Sequence, residues 1–91
     1  MEEKFNVGDI VFSKMGRDSG RYYIVMTVED NYVYICDGDV HKVDKPKKKK
    51  IKHVKASGNC SEYVAAKLQE GAKVTNTELR RTIGEFEETP E

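Results

Sequence analysis

Arg21-Tyr22-Tyr23-Ile24-Val25-Met26-Thr27-Val28 and Tyr32-Val33-Tyr34-Ile35-Cys36, separated by Glu29-Asp30-Asn31, decide the fold class. Both runs are dense in β-branched and aromatic residues, which fit a pleated surface. Asp30-Asn31 suits a two-residue hairpin turn, because both side chains tolerate positive φ. Upstream, Val7 to Ser13 is a short β-prone run entered through Gly8, and Lys14 to Gly20 is a turn by composition. Downstream, Asp37-Gly38-Asp39 makes another turn, and Val40 to Val43 reads as a fourth short strand. Lys45-Pro46 interrupts, since proline cannot donate to a ladder. Ile51-Lys52-His53-Val54 alternates apolar and polar and reads as the last strand. About five short strands with closely spaced turns predict a mainly β chain, a small barrel or sandwich rather than a βαβ sheet.

The pattern changes at Ala56-Ser57-Gly58-Asn59, so the chain divides into a β unit over 1–58 and a helical extension over 59–91. Asn59 or Ser61 caps a helix running from Glu62 to about Glu70, with Val64, Ala65 and Leu68 on one face and Gly71 as the stop. Thr75-Asn76-Thr77-Glu78 has the form of a capping box. Leu79, Ile83 and Phe86 follow as one apolar stripe, and Glu87 to Glu91 reads as a frayed acidic tail. One or two short C-terminal helices are expected.

Charge is unevenly spread. Lys and Arg number 16 and Asp and Glu 16, so the net charge is zero. Residues 1–58 carry 12 basic and 9 acidic side chains, hence +3; residues 59–91 carry 4 and 7, hence −3. Residues 40–55 alone hold eight lysines against Asp44. A partner responds to this local charge rather than to the average. No apolar run approaches the roughly 18 residues of a membrane span. The N-terminus has no basic start and apolar core of a secretory signal, so a cytoplasmic location and no membrane partner are expected. Cys36 and Cys60 are too few for a disulfide scaffold. At 91 residues a small binding module fits better than an enzyme with a deep cleft.

Two stretches now carry a resemblance. Gly8-Asp9-Ile10-Val11, with Gly16-Arg17-Asp18-Ser19-Gly20-Arg21 before an apolar strand, resembles a KOW motif. Tyr32-Val33 to Asp37-Gly38, then Lys42 and Lys45-Pro46-Lys47-Lys48-Lys49-Lys50-Ile51-Lys52-His53, resembles the bacterial KOW-domain RNA-binding proteins. These are related to the fourteen-e large-subunit ribosomal proteins of archaea and eukaryotes. The resemblance covers about residues 5–55. It implies an SH3-like barrel that binds structured RNA, with ribosomal RNA as partner and ribosomal proteins as further contacts. The chain would then be a ribosomal-protein-like or ribosome-associated factor in translation, acting as a monomer without a cofactor.

The residues support an RNA reading independently. Gly16 and Gly20 can take backbone angles closed to other residues, and Lys14, Arg17 and Arg21 flank them as phosphate partners. Lys45, Lys47, Lys48, Lys49, Lys50 and Lys52 are six lysines in eight positions, with Lys42 just upstream. Such a run gains by meeting phosphates and releasing counterions, and lysine discriminates little between bases. Recognition of RNA shape and backbone is therefore expected. His53 among lysines favours its neutral form and serves as a hydrogen-bond donor to phosphate or ribose. Among the tyrosines, Tyr22 and Tyr32 are the candidates for stacking on bases.

Other chemistry finds little support. Cys36, His41, His53 and Cys60 lack the close ligand pair of a zinc site. No nucleophile–base arrangement or phosphate-binding glycine loop is present, so no catalytic residues are expected. The alternative is an SH3-like protein-interaction module that takes a protein partner rather than RNA. A further idea is that Glu85, Glu87 and Glu88 compete with RNA for the lysines; the simpler one is that the helices complete the fold.

Overall fold

The structure, a computed structural model, describes residues 4–17 and 19–88. Asp18 of the glycine-flanked turn, Met1 to Glu3 and Thr89 to Glu91 lie outside them. Five strands form one antiparallel sheet: β1 (Asp9–Ser13), β2 (Tyr22–Glu29), β3 (Tyr32–Cys36), β4 (Lys47–Lys50) and β5 (Val54–Cys60). Two helices follow, α1 (Glu62–Gln69) and α2 (Asn76–Glu88). The sheet order is β4-β3-β2-β1-β5. The mainly β, SH3-like architecture expected from the sequence is present.

The edge strands β4 and β5 are joined only by a 3-10 turn, Ile51–His53. In a flat sheet they would lie about 19 Å apart, four spacings of about 4.8 Å. A three-residue 3-10 turn advances only about 6 Å. The sheet must therefore curl until its edges approach. Two hydrogen bonds hold the turn in place: the Ile51 amide donates to the Asn31 carbonyl and the Lys14 amide to the His53 carbonyl, each at 2.9 Å.

Curling gives the sheet an inner face. Phe5, Val11, Tyr23, Val25, Val33, Ile35 and Val54 fill it, with Ile51 packed alongside. The outer face is also apolar, at Ile10, Ile24 and Cys36. Val64 of α1, Val74, and Leu79 and Ile83 of α2 cover it. Gly8, at φ +90°, lets α1 approach: a Cβ there would lie 2.6 Å from the Ala65 Cβ. Tyr22 packs edge-on between Phe12 and Phe86, with ring centroids 5.2 and 5.0 Å away. The helices thus complete the fold.

Several elements differ from expectation. Val40 to Val43 is not a strand, because side-chain acceptors, one near in sequence and one distant, take up the backbone amides around it. The Asp37 carboxylate accepts the Asp39 and His41 amides at 2.9 Å, and the Val43 amide donates to the Asn76 side chain at 2.8 Å. The fourth strand is instead the lysine run, Lys47–Lys50. Ile51–His53 forms the 3-10 turn, and the last strand begins at Val54. That strand runs through the apparent linker to Cys60. Its register against β1 jumps from Ile10↔Asn59 to Val11↔Ala56, leaving Ser57 and Gly58 as a bulge. The Ser57 hydroxyl donates to the Ile10 carbonyl at 2.6 Å. Only Asp30 of the hairpin turn takes positive φ among the described non-glycine residues. Glu87 and Glu88 continue α2 rather than fraying from it.

Of the two proposed caps for α1, Ser61 acts: its hydroxyl accepts the Val64 amide at 3.2 Å. The α2 capping box is reciprocal, with Thr75 and Glu78 exchanging amide-to-side-chain bonds at 2.9 and 3.2 Å. Cys36 is buried, and desolvation followed by the charges of Asp37 and Asp44 pushes its thiol up to about 12.

Glu78 also joins the helices. Its carboxylate lies 2.7 Å from the Lys67 Nζ and accepts the Tyr63 hydroxyl. Bonds from Lys67, Tyr63 and Thr75 hold its carboxyl down at about 2, below the ordinary 4.5. A depressed carboxyl stabilises the fold above its unfolded pKa and loses that contribution as pH falls toward the folded value. Urea midpoints measured from pH 4.5 to 2 should therefore fall less steeply for Glu78→Gln than for the parent. The two curves should converge near pH 2; parallel curves would show that Glu78 contributes no acid sensitivity.

Candidate nucleic-acid interface

Strand alternation places the lysine run in two environments. The register pairs Tyr32 with Lys50, Val33 with Lys49, Tyr34 with Lys48 and Ile35 with Lys47. Side chains two apart share a face. Lys48 and Lys50 therefore stand with Tyr32 and Tyr34 outside, whereas Lys47 and Lys49 share the side of Val33 and Ile35. Lys47 remains exposed. Lys49 is only 8% exposed, and its Nζ donates to the Met15 carbonyl at 2.6 Å. This lysine anchors the Lys14–Gly20 loop to β4.

On the outside, the Lys48 Nζ lies over the Tyr32 ring, 4.4 Å from its centroid, and 6.0 Å from that of Tyr34. A cation over an aromatic face is attracted by the ring's quadrupole. Lysines that would repel in isolation are thus carried on an aromatic strand. The β2–β3 register shifts between Val25 and Thr27. Beyond that shift Thr27 and Glu29 oppose Tyr34 and Tyr32, and Glu29 accepts the Tyr34 hydroxyl at 3.3 Å.

A cleft of about 800 Å³ adjoins this platform. Phe5, Ile51, Val54 and Tyr32 give it apolar walls, and Lys4, Lys14, Lys50 and Lys52 surround it. Among the described residues, Asp30 is the only acidic one lining it. His53 lies close to the same charges. Burial, then Lys52, Lys49, Lys50 and Lys14, push its pKa below the usual 6.5, which favours the neutral imidazole expected from the sequence.

The glycine-flanked loop is a tight turn. The Gly20 amide donates to the Ser13 carbonyl at 3.0 Å and the Ser19 amide to the Gly16 carbonyl at 3.2 Å. Gly16 and Gly20 take φ of +91° and +84°. Arg17 is exposed on it. Lys42 and Lys45 are exposed in the loop before β4.

The structure therefore brings Lys14, Lys50, Lys52 and His53 together, with Lys48 on the adjoining face. Arg21 stands apart. Its guanidinium faces Asp37 and Asp39 at 3.7 and 3.9 Å, in a second cleft shared with Gly20, Arg80 and Glu87. Tyr22, offered for stacking, is instead wedged between Phe12 and Phe86. Sequence reasoning missed Lys4, Asn31 and Tyr34. The pairing of Tyr34 with Lys48 becomes visible only once Lys47–Lys50 is read as a strand. Lys4 and Asn31 gave no signal.

Among the described residues, no group of three or more His, Cys, Asp or Glu side chains is placed to hold a metal ion. Among them, too, no helix is long and apolar enough to cross a membrane. Compared with known proteins, the chain matches no family model and no curated protein.

Lys49 and Lys48 should behave oppositely despite being neighbours. Lys49→Ala removes a buried hydrogen-bond partner and should lower stability by about 1–3 kcal/mol in urea unfolding. Lys48→Ala, on the surface, should stay within about 0.5 kcal/mol of the parent. Equal losses would contradict the anchoring role of Lys49.

Proposed function

We propose that this chain is an RNA-binding protein, held to RNA through phosphate contacts from Lys48, Lys50, Lys52, Lys14 and Lys4. One observation carries the reading: four lysines surround an apolar cleft beside a strand of consecutive lysines, of which Lys48 and Lys50 stand with two tyrosines. Lysine heads supply charge neutralisation, and tyrosine rings supply surface for bases. Among the described residues the cleft sets one acid against four lysines, which suits a polyanion better than an acidic or basic protein side chain taken singly. The resemblance to KOW-domain proteins points the same way and supplies ribosomal RNA, a translation role and cytoplasmic location as the specific form of the proposal. The loop contributes through Lys14 and Arg17, with Gly16 and Gly20 keeping it compact.

The log–log salt dependence of RNA affinity tests this reading. Four or five phosphate contacts at about 0.7–0.9 each give a slope near −3 to −4.5. Replacing Lys48, Lys50 and Lys52 by alanine should flatten the slope by about 2 in a protein that still folds. Replacing Lys42 and Lys45 should change it less. No measurable binding to RNA at low salt, with capture of a protein partner instead, would favour the interaction-module alternative.

Phosphate near His53 also has a titration signature. An added negative charge favours the imidazolium, so RNA should raise the pKa of His53 from its depressed value. NMR titration of the ring with and without RNA measures this. Binding should then take up a proton and strengthen as pH falls through the His53 range. An unmoved His53 would place the phosphates away from the 3-10 turn.

A further inference from the structure

We infer that the cleft beside the 3-10 turn takes an unpaired nucleotide of single-stranded or bulged RNA, its base against Tyr32 and Ile51 and its phosphates toward Lys14, Lys50 and Lys52. This rests on the RNA reading above, and it replaces the duplex-backbone recognition expected from the lysine run alone.

The shape of the site separates the two modes. A duplex presents its sugar–phosphate exterior and the base edges in its shallow groove, but its base faces are stacked away. Its contacts are met by charge on an open surface. An apolar concavity adds nothing to such contacts, since phosphate gains no energy from meeting Phe5, Ile51 or Val54. A base does gain, because its flat π-face is the part of RNA that aromatic and apolar side chains hold. The cleft's volume of about 800 Å³ also falls within the roughly 300–1,000 Å³ of small-ligand sites, so a nucleotide has room to enter.

The polar groups around the walls fit the same occupant. The Asn31 carbonyl is occupied by the Ile51 amide, at 2.9 Å, but its exposed side-chain amide has no hydrogen bond among the described residues. An amide with both donor and acceptor suits a base edge. Lys50 stands opposite Tyr32 in the β3–β4 register. Backbone pairing thus places Lys50 beside Tyr32, while the Lys48 Nζ lies over one face of the ring. Base and phosphate of one nucleotide can then be held by neighbouring residues of two strands.

The test uses the full chain and two probes: a mixed-sequence RNA decamer, and the same decamer annealed to its complement. At moderate salt the single strand should bind about tenfold or more tighter than the duplex. Tyr32→Leu should weaken the single strand about tenfold, the scale of one lost stacking contact, and leave duplex affinity and the salt slope unchanged. Tyr32→Phe keeps the ring and should bind the single strand like the parent. Circular dichroism melts of both variants establish that they fold. Should Tyr32→Leu unfold, the Asn31→Ala variant carries the test, with single-strand affinity falling and duplex affinity constant. Duplex binding as tight as single-strand binding, or a Tyr32→Leu variant that binds the single strand like the parent, overturns the nucleotide pocket while leaving RNA binding standing. Failure of both probes to bind at low salt overturns the RNA reading itself.

Discussion

The short central strands are apolar on both faces, and the rest of the structure answers that constraint. Ile10 with Val11, Tyr23 with Ile24 and Val25, and Ile35 with Cys36 are consecutive buried residues. Their side chains point alternately to opposite sides. A sheet of this kind cannot leave either side in water. One side is closed by curling the sheet on itself through the 3-10 turn. The other is closed by α1 and α2, whose short amphipathic stretches would be marginal alone and gain their order from this surface. The helices cover only the part of the outer face around Ile10, Ile24 and Cys36. What remains uncovered is the far end of β3 with β4, and there the tyrosines and lysines stand.

Legibility in the sequence followed how local the determining physics was. β1, β2 and β3 could be read from composition, and both helix starts from the spacing of capping residues. Each of these signals lies within a few residues of the structure it sets. β4 could not be read so. Four lysines have low strand propensity, and they become a strand because β3 offers a ladder and Tyr32 and Tyr34 offer rings beneath Lys48. Ala56 to Asn59 has the composition of a linker, but pairing with β1 turns it into a bulged strand. Val40 to Val43 has the opposite character: strand-like composition overruled by the Asp37 carboxylate and by Asn76, 33 residues away from Val43. The candidate site shared this division. Its lysines were visible as charge, but which faced the cleft, which faced the core and which ring they met depended on register.

The charge asymmetry also takes on a different meaning in three dimensions. The acidic half does not simply lie across the basic half. Among the acids of the C-terminal region, Glu78 is engaged with Lys67 and Tyr63 between the helices, and Glu87 lines the cleft that holds Arg21. The loop's two arginines are thereby placed in unlike settings. Arg17 is exposed, whereas Arg21 meets Asp37 and Asp39. A run that reads as one basic motif is thus divided by the fold between structural and open positions.

Because the sheet curls without becoming a closed ring, two strand edges survive, and unpaired edges invite further strands from other molecules. β5 blunts its edge with the Ser57–Gly58 bulge. β4 has no bulge; its protection is a row of lysines, which any approaching copy of the same strand would have to bring into contact with its own. The charge of the lysine run thus guards this edge, and replacing these lysines by apolar residues would remove its protection against strand pairing between copies.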